Sequence, residues 1–254
     1  MTFEVTPWMY PLLFAGGMLA GWVDAIAGGG GMVTIPILLG IGVPPQMVLG
    51  TNKFQASFGS FTAAYHYIRK EVVPLDDAWA GILFTLIGSA LGTIAVQQID
   101  PGVLNVVIPF LLLAIAVLLL LTPDLGAMQT HPRLPRMLFY LTLGLGLGFY
   151  DGFFGPGVGT FWAMAFVLGL GFTLTRATGY TKVMNFTSNI VSLLVFAIGG
   201  NILWAPGAVM AVGQIIGSRL GSGMVVKRGV RFIRPVFIVM VILTTLKLLS
   251  DRLL

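Results

Sequence analysis

Long apolar runs alternate with short polar breaks along the whole chain. The runs lie at about residues 10–27, 32–42, 51–69, 78–98, 102–122, 136–153, 157–171, 177–199, 204–223 and 232–250. A spanning helix needs about 20 residues at the rise of an α-helix, so most of these predict membrane-crossing helices. The second and seventh are too short for a comfortable span, which predicts short, broken or re-entrant helices at those two places. Each of the two follows a glycine cluster, and each is closed by a turn before a helix that carries polar residues.

The ten segments form two sets of five that can be laid over one another. With a shift of 127, Gly21, Asp24, Gly28 and Gly30 fall on Gly148, Asp151, Gly155 and Gly157. After a two-residue insertion, a shift of 129 pairs Gly42, Gly50 and Lys53 with Gly171, Gly179 and Lys182. The same shift pairs Gly88-Ser89 and Leu91-Gly92 with Gly217-Ser218 and Leu220-Gly221. This predicts two transmembrane repeats, 1–125 and 126–254, in one membrane domain. Five is odd, so the second repeat enters from the opposite side and the topology is inverted. The loop charges agree: with Arg69/Lys70, Arg133/Arg136, Arg176 and Lys227/Arg228/Arg231/Arg234 inside, nine of the 14 cations are cytoplasmic. Both termini then lie outside and the 122–136 loop inside.

Composition fixes the class. With 57% apolar and 9% charged residues and a mean hydropathy of +0.95, the chain reads as an all-α integral membrane protein without a soluble domain. The lack of cysteine excludes disulfides, thiolate catalysis and Cys-ligated metals, and two histidines argue against a His-rich metal site. The net charge of +5 sits mostly in short loops, where topology explains it without nucleic acid. Met1–Tyr10 carries Glu4 and no Lys or Arg, so the cationic start of a cleavable signal peptide is missing.

Two stretches carry the candidate chemistry, Asp24 to Ser60 and Asp151 to Asn189. Glycine lets backbone N–H groups approach a ligand, and a helix N-terminus adds partial positive charge, so Gly28, Gly29, Gly30, Gly155 and Gly157 are candidates to cradle an oxyanion. The other reading is that such glycines serve helix packing. Lys53 and Lys182 begin the third segment of each repeat, near a depth where an unpaired ammonium is costly. Each either supplies positive potential to an anion, snorkels to an interface, or pairs with the aspartate of its own repeat. Lys182, Asn185, Asn189 and Ser192 form one polar stripe, against Lys53, Ala56, Ser60 and Ala63 in the first repeat. Asn52 and Gln55 add amides nearby. Asp24 and Asp151 are open to three roles: counter-ion, cap of the glycine turn, or proton carrier. Arg219 has Ala90 as its counterpart, which makes it a candidate to grip an oxyanion, or else a cytoplasmic topology charge. His66 reads as a helix-end residue, and Tyr150 and Trp162 as packing or interface aromatics.

The motifs GWVDAIAGGGGMVTIP and GTNKFQASFGS, then GFYDGFFGPGVGTFWA, TKVMNFTSN and VGQIIGSRLGS, resemble the sulfite exporter TauE/SafE family, also called toluene sulfonate uptake permeases. The resemblance covers almost the whole chain. It implies a transporter of sulfur-containing anions such as sulfite, sulfonates, sulfoacetate or thiosulfate, in a bacterial or archaeal plasma membrane. An intramembrane enzyme using Asp24 and Asp151 as a carboxylate dyad is disfavoured, because the Gly-x-Gly-Asp context is absent and no Ser/His pair or zinc motif replaces it. The expected function is therefore a secondary carrier working by alternating access at a midplane site, with an anion channel or a carrier of a non-sulfur anion as the alternative. No catalytic residue, metal or cofactor is assigned. The expected partners are a small anion and the lipid bilayer, with coupling to protons or another ion left open.

Overall fold

The computed structural model describes residues 5–121 and 131–222. All regular elements among them are helical: α1 (Met9–Ala27), α2 (Gly31–Gly40), α3 (Pro45–Arg69), α4 (Leu75–Gln97), α5 (Pro101–Leu121), α6 (Arg136–Phe139), a π turn (Tyr140–Gly144), α7 (Leu145–Phe153), α8 (Val158–Leu170), α9 (Leu174–Ile198) and α10 (Trp204–Ser222). The run at 232–250 and the charges from Lys227 to Arg234 lie outside the described residues. α4 and α9 have the length and apolarity to cross a membrane by themselves. α2 and α8 have 10 and 13 residues, about 15 and 20 Å at the α-helical rise, against a hydrocarbon core of about 30 Å. They are the short elements expected at these two places.

Helix starts explain where the sequence-based boundaries slip. Pro44-Pro45 places a proline at the first position of α3, where its missing N–H costs nothing. Thr173 caps α9 by accepting a hydrogen bond from the Arg176 N–H. Both helices therefore begin before the apolar runs at 51 and 177. Lys53 and Lys182 each sit eight residues inside their helix, more than two turns from its end, which rules out the helix-start position that snorkelling needs.

Polarity is arranged for lipid. On α4, Leu83, Leu86, Leu91 and Ile94 are exposed, whereas Thr85, Ser89 and Thr93 are fully buried. Lipid asks for apolar surface, and buried hydroxyls must find partners inside. Ser89 donates to the Ser188 carbonyl at 2.9 Å, and Thr93 donates to the Gly152 carbonyl at 3.0 Å with the Ser192 hydroxyl 2.9 Å away. These bonds tie α4 to α7 and α9.

Two helix pairs approach closely through small residues. On α1 and α10, Gly17 and Gly21 lie against the backbone of Met210 and Gln214, while Gly213, Gly217 and Gly221 lie against that of Phe14 to Trp22. On α4 and α7, Gly88 and Gly92 face the backbone of Leu145 and Phe149, and Gly148 and Gly152 face Thr85 and Ser89. A Cβ at any of these positions would overlap a neighbouring main chain, the small-residue logic of membrane helix contacts. So the matched glycines Gly21/Gly148, Gly88/Gly217 and Gly92/Gly221 are packing positions. α1 packs on α10 as α7 packs on α4, and α3 packs on α9, joining the two pairs through the contacts of α3 with α10 and of α9 with α4.

Candidate functional site

The two glycine breaks meet in the interior. α1 ends at Gly28, which is in the left-handed conformation at φ 73° and donates to the Asp24 carbonyl at 2.8 Å. Its counterpart Gly155 is also left-handed, at φ 98°, so both turns use backbone geometry that a side chain would strain. Gly159 in the first turn of α8 donates its N–H to the Gly28 carbonyl at 3.1 Å, directly linking the breaks. That bond uses one of the free N–H groups at the start of α8. Gly30 and Gly157 differ: Gly30 has an ordinary helical φ of −54°, and Gly157 is left-handed at φ 80°.

Beside this junction, each lysine is paired with the aspartate of the other half. Lys53 donates to Asp151 Oδ1 and to the Asp151 carbonyl, each at 2.5 Å, and Ser188 donates to Asp151 Oδ2. Lys182 donates to the Asp24 carbonyl, with its Nζ 3.4 Å from Asp24 Oδ2. Pairing within each half, one of the three roles left open by the sequence, is thus replaced by a crossed one. Lys53 and Lys182 are 1% and 0% exposed, and a buried ammonium of this kind is tolerated only with a close anionic or carbonyl partner.

A cavity of about 30 Å³ lies between the breaks, room for one or two waters. Of the residues singled out from the sequence, Asp24, Gly28, Gly29, Gly30, Asn52 and Lys53 line it from one half, and Asp151, Gly155, Asn185 and Asn189 from the other. Gln55 stands behind this wall. Its Nε2 donates to Asn52 Oδ1 at 3.0 Å, which also accepts from Thr34 at 2.6 Å. Lys182 contacts the cavity only through Asp24. Gly157 packs instead against Met32 and Ile115. Arg219 lies in the last turn of α10 on an exposed face and does not line the cavity, because five residues of helix turn it away from the inward-facing Gln214.

Gln214 is the cavity residue that the sequence reading missed. It is fully buried on α10, lines the cavity, and neither Nε2 nor Oε1 has a hydrogen-bond partner among the described residues. A lone amide among Gly213, Ile215, Ile216 and Gly217 was the available signal, hidden by the charge of Arg219. His66 lies in the last turn of α3, Trp162 is buried in an aromatic cluster with Phe139 and Phe166, and Tyr150 donates to the Pro156 carbonyl at 2.6 Å, bracing the second glycine turn.

Helices that turn apolar faces outward and polar groups inward, around a small charge-paired cavity beside two interrupted helices, define the class of a membrane transporter. The chain belongs to the sulfite exporter TauE/SafE family, whose sequence model matches residues 13–248. It is 47% identical to a probable membrane transporter protein of Haemophilus influenzae, over 95% of this chain and 94% of the relative. It is 44% identical to a probable membrane transporter protein of Escherichia coli K12, over 98% and 93% of the two chains. No solved structure matches the chain. The protein is thus a membrane transporter and not an enzyme.

Proposed function

We propose that this transporter moves a small sulfur-containing anion, of the sulfite, sulfonate, sulfoacetate or thiosulfate class, across a bacterial or archaeal inner membrane. The observation that carries this is the junction of two glycine-broken short helices at a buried cavity flanked by crossed Lys–Asp pairs. The start of α2 presents Gly29 to Gly31 to that cavity, and helix N-termini favour anions. The family name points to sulfur anions, and the cavity chemistry suits a small oxyanion.

The halves 1–125 and 126–254 act as inverted repeats, with binding near the midplane where they meet. Support comes from the matched left-handed glycines Gly28/Gly155 and Gly42/Gly171 and the reciprocal packing of α1 on α10 and α7 on α4. A cavity that holds only a water or two must widen to admit an anion, which fits alternating access. Asp24 and Asp151 serve first as counter-ions to the lysines, and proton coupling through them is the second role. A channel, or a carrier of a non-sulfur organic anion, is the competing reading.

Thermal shift of the purified chain against sulfite, thiosulfate, sulfoacetate, taurine and simple carboxylates tests the substrate class, since a ligand of the folded state raises apparent stability. Stabilisation by carboxylates alone would overturn it, and absence of counterflow in vesicles would favour the channel. Cysteines placed at positions 126 and 200 should be labelled from opposite sides of the membrane; labelling from one side refutes the inverted arrangement.

A further inference from the structure

We propose that the ligand of this cavity is an oxyanion that brings its own hydrogen-bond donor, such as hydrogensulfite or a hydroxy- or amino-sulfonate, and that Gln214 reads that donor. This rests on the sulfur-anion reading above and narrows it.

The argument starts from what the cavity offers. Its charged groups cancel, because Lys53 is held by Asp151 and Lys182 by Asp24. Asp24 is the looser partner: its side chain is 13% exposed, against 3% for Asp151, and it lines the cavity. An oxyanion placed there meets a carboxylate, and two oxyanions in contact repel unless a hydrogen lies between them. An ordinary fully ionised anion therefore finds a poor wall on that side.

The unpartnered groups point the same way. Among the described residues, Gln214 lacks a partner at both Nε2 and Oε1, and Asn185 lacks one at Oδ1. Both side chains are more than nine-tenths buried and line the cavity. Whichever way the Gln214 amide is turned, one end presents N–H and the other C=O. A pure acceptor can satisfy only the N–H end, leaving a buried carbonyl oxygen unpaired, which is costly. A ligand with an O–H or N–H beside its oxyanion satisfies both ends, its oxyanion accepting from the amide N–H and its own hydrogen going to the amide oxygen, and a donor with further hydrogens, such as an ammonium, also has one for Asp24. Gln214 is held for this task by close packing, with its Cγ and amide against Gly59 and its Nε2 beside Gly30.

The test compares 2-hydroxyethanesulfonate with 1-propanesulfonate, which have the same charge and nearly the same shape but differ by a hydroxyl in place of a methyl. Calorimetric titration of the full chain should give tighter binding of the hydroxyl compound by about fivefold, the scale of one net hydrogen bond. In Gln214→Met the preference should fall below about twofold. Equal binding of the two ligands by the unaltered chain overturns the proposal while leaving the sulfur-anion reading in place. A preference undiminished in Gln214→Met overturns the role of Gln214. If neither sulfonate nor sulfite binds, the sulfur-anion reading fails and this proposal with it. The comparison on the unaltered chain decides the ligand class even if Gln214→Met does not fold.

Discussion

The two crossed ion pairs occupy matching places in the two halves and are held to different degrees. Lys53 and Asp151 meet at 2.5 Å, both nearly inaccessible, and Ser188 takes the second carboxylate oxygen. In the other pair the carboxylate stands 3.4 Å from Lys182 Nζ, and its remaining oxygen accepts from the Gly30 N–H, also at 3.4 Å. The position matching Ser188 under the repeat shift is Gly59, which has no hydroxyl to offer. One substitution at one helical position thus separates a closed pair from an open one. The closed pair locks the halves together, and the open one leaves Asp24 free to answer to what enters the cavity.

Breaking the closed pair should have the largest effect. Lys53→Met leaves Asp151 buried without its counter-ion, a loss of about 3–5 kcal/mol, so folded yield in detergent should collapse. The double variant Lys53→Met, Asp151→Leu removes both charges and should recover much of the stability, because the desolvation cost of the pair disappears with it. Size-exclusion profiles of the two variants check this. A well-folded single variant would show that the 2.5 Å pair contributes little.

The open pair should respond less in stability and more in binding. Lys182→Gln keeps a donor for the Asp24 carbonyl, and Asp24 can draw on water in the cavity. A stability loss of about 1–3 kcal/mol is expected, together with weaker anion binding measured by titration. Equal destabilisation by Lys182→Gln and Lys53→Gln would erase the distinction between the pairs.

How much of this was legible in the sequence follows from the range of the interactions. The nine runs that fall on described residues correspond to helical segments, because apolar length is a local property, and the short α2 and α8 show in the same way. α3 and α9 start earlier than their apolar runs, since Gln46 to Gly50 and Leu174 to Arg176 are helical without being uniformly apolar. The π turn at Tyr140–Gly144 leaves no mark in periodicity. The crossed pairing was out of reach, because Lys53 on α3 and Asp151 on α7 lie 98 residues apart along the chain and meet only in the folded protein. Charge also drew attention to Arg219, whereas burial selects the neutral Gln214 one turn and a half earlier on the same helix.

The smallest effect expected on the fold, and a selective one on binding, comes from a single position of the glycine turns, Gly30. At Gly28 an added Cβ would run into the Gly159 backbone at a left-handed position, so Gly28→Ala tests folding rather than the ligand. Gly157 is also left-handed, with Ile115 and Met32 within 3.0 Å of a built Cβ, and Gly157→Ala should likewise act through strain. Gly30 differs because its φ of −54° accepts alanine. Its Cβ would lie 3.0 Å from the Ala20 carbonyl oxygen and 3.3 Å from Gln214 Nε2, tight contacts that a small shift can relieve. Gly30→Ala should therefore cost no more than about 1 kcal/mol of stability. The methyl group stands beside the unpartnered amide, where the anion needs close backbone approach, so affinity should fall by about tenfold, the equivalent of 1.4 kcal/mol. Gly16→Ala is the control on the neighbouring helix, since its Cβ meets only the flexible Ile37 side chain. If Gly30→Ala and Gly16→Ala bind the anion alike, the start of α2 is a packing turn and the ligand is held elsewhere.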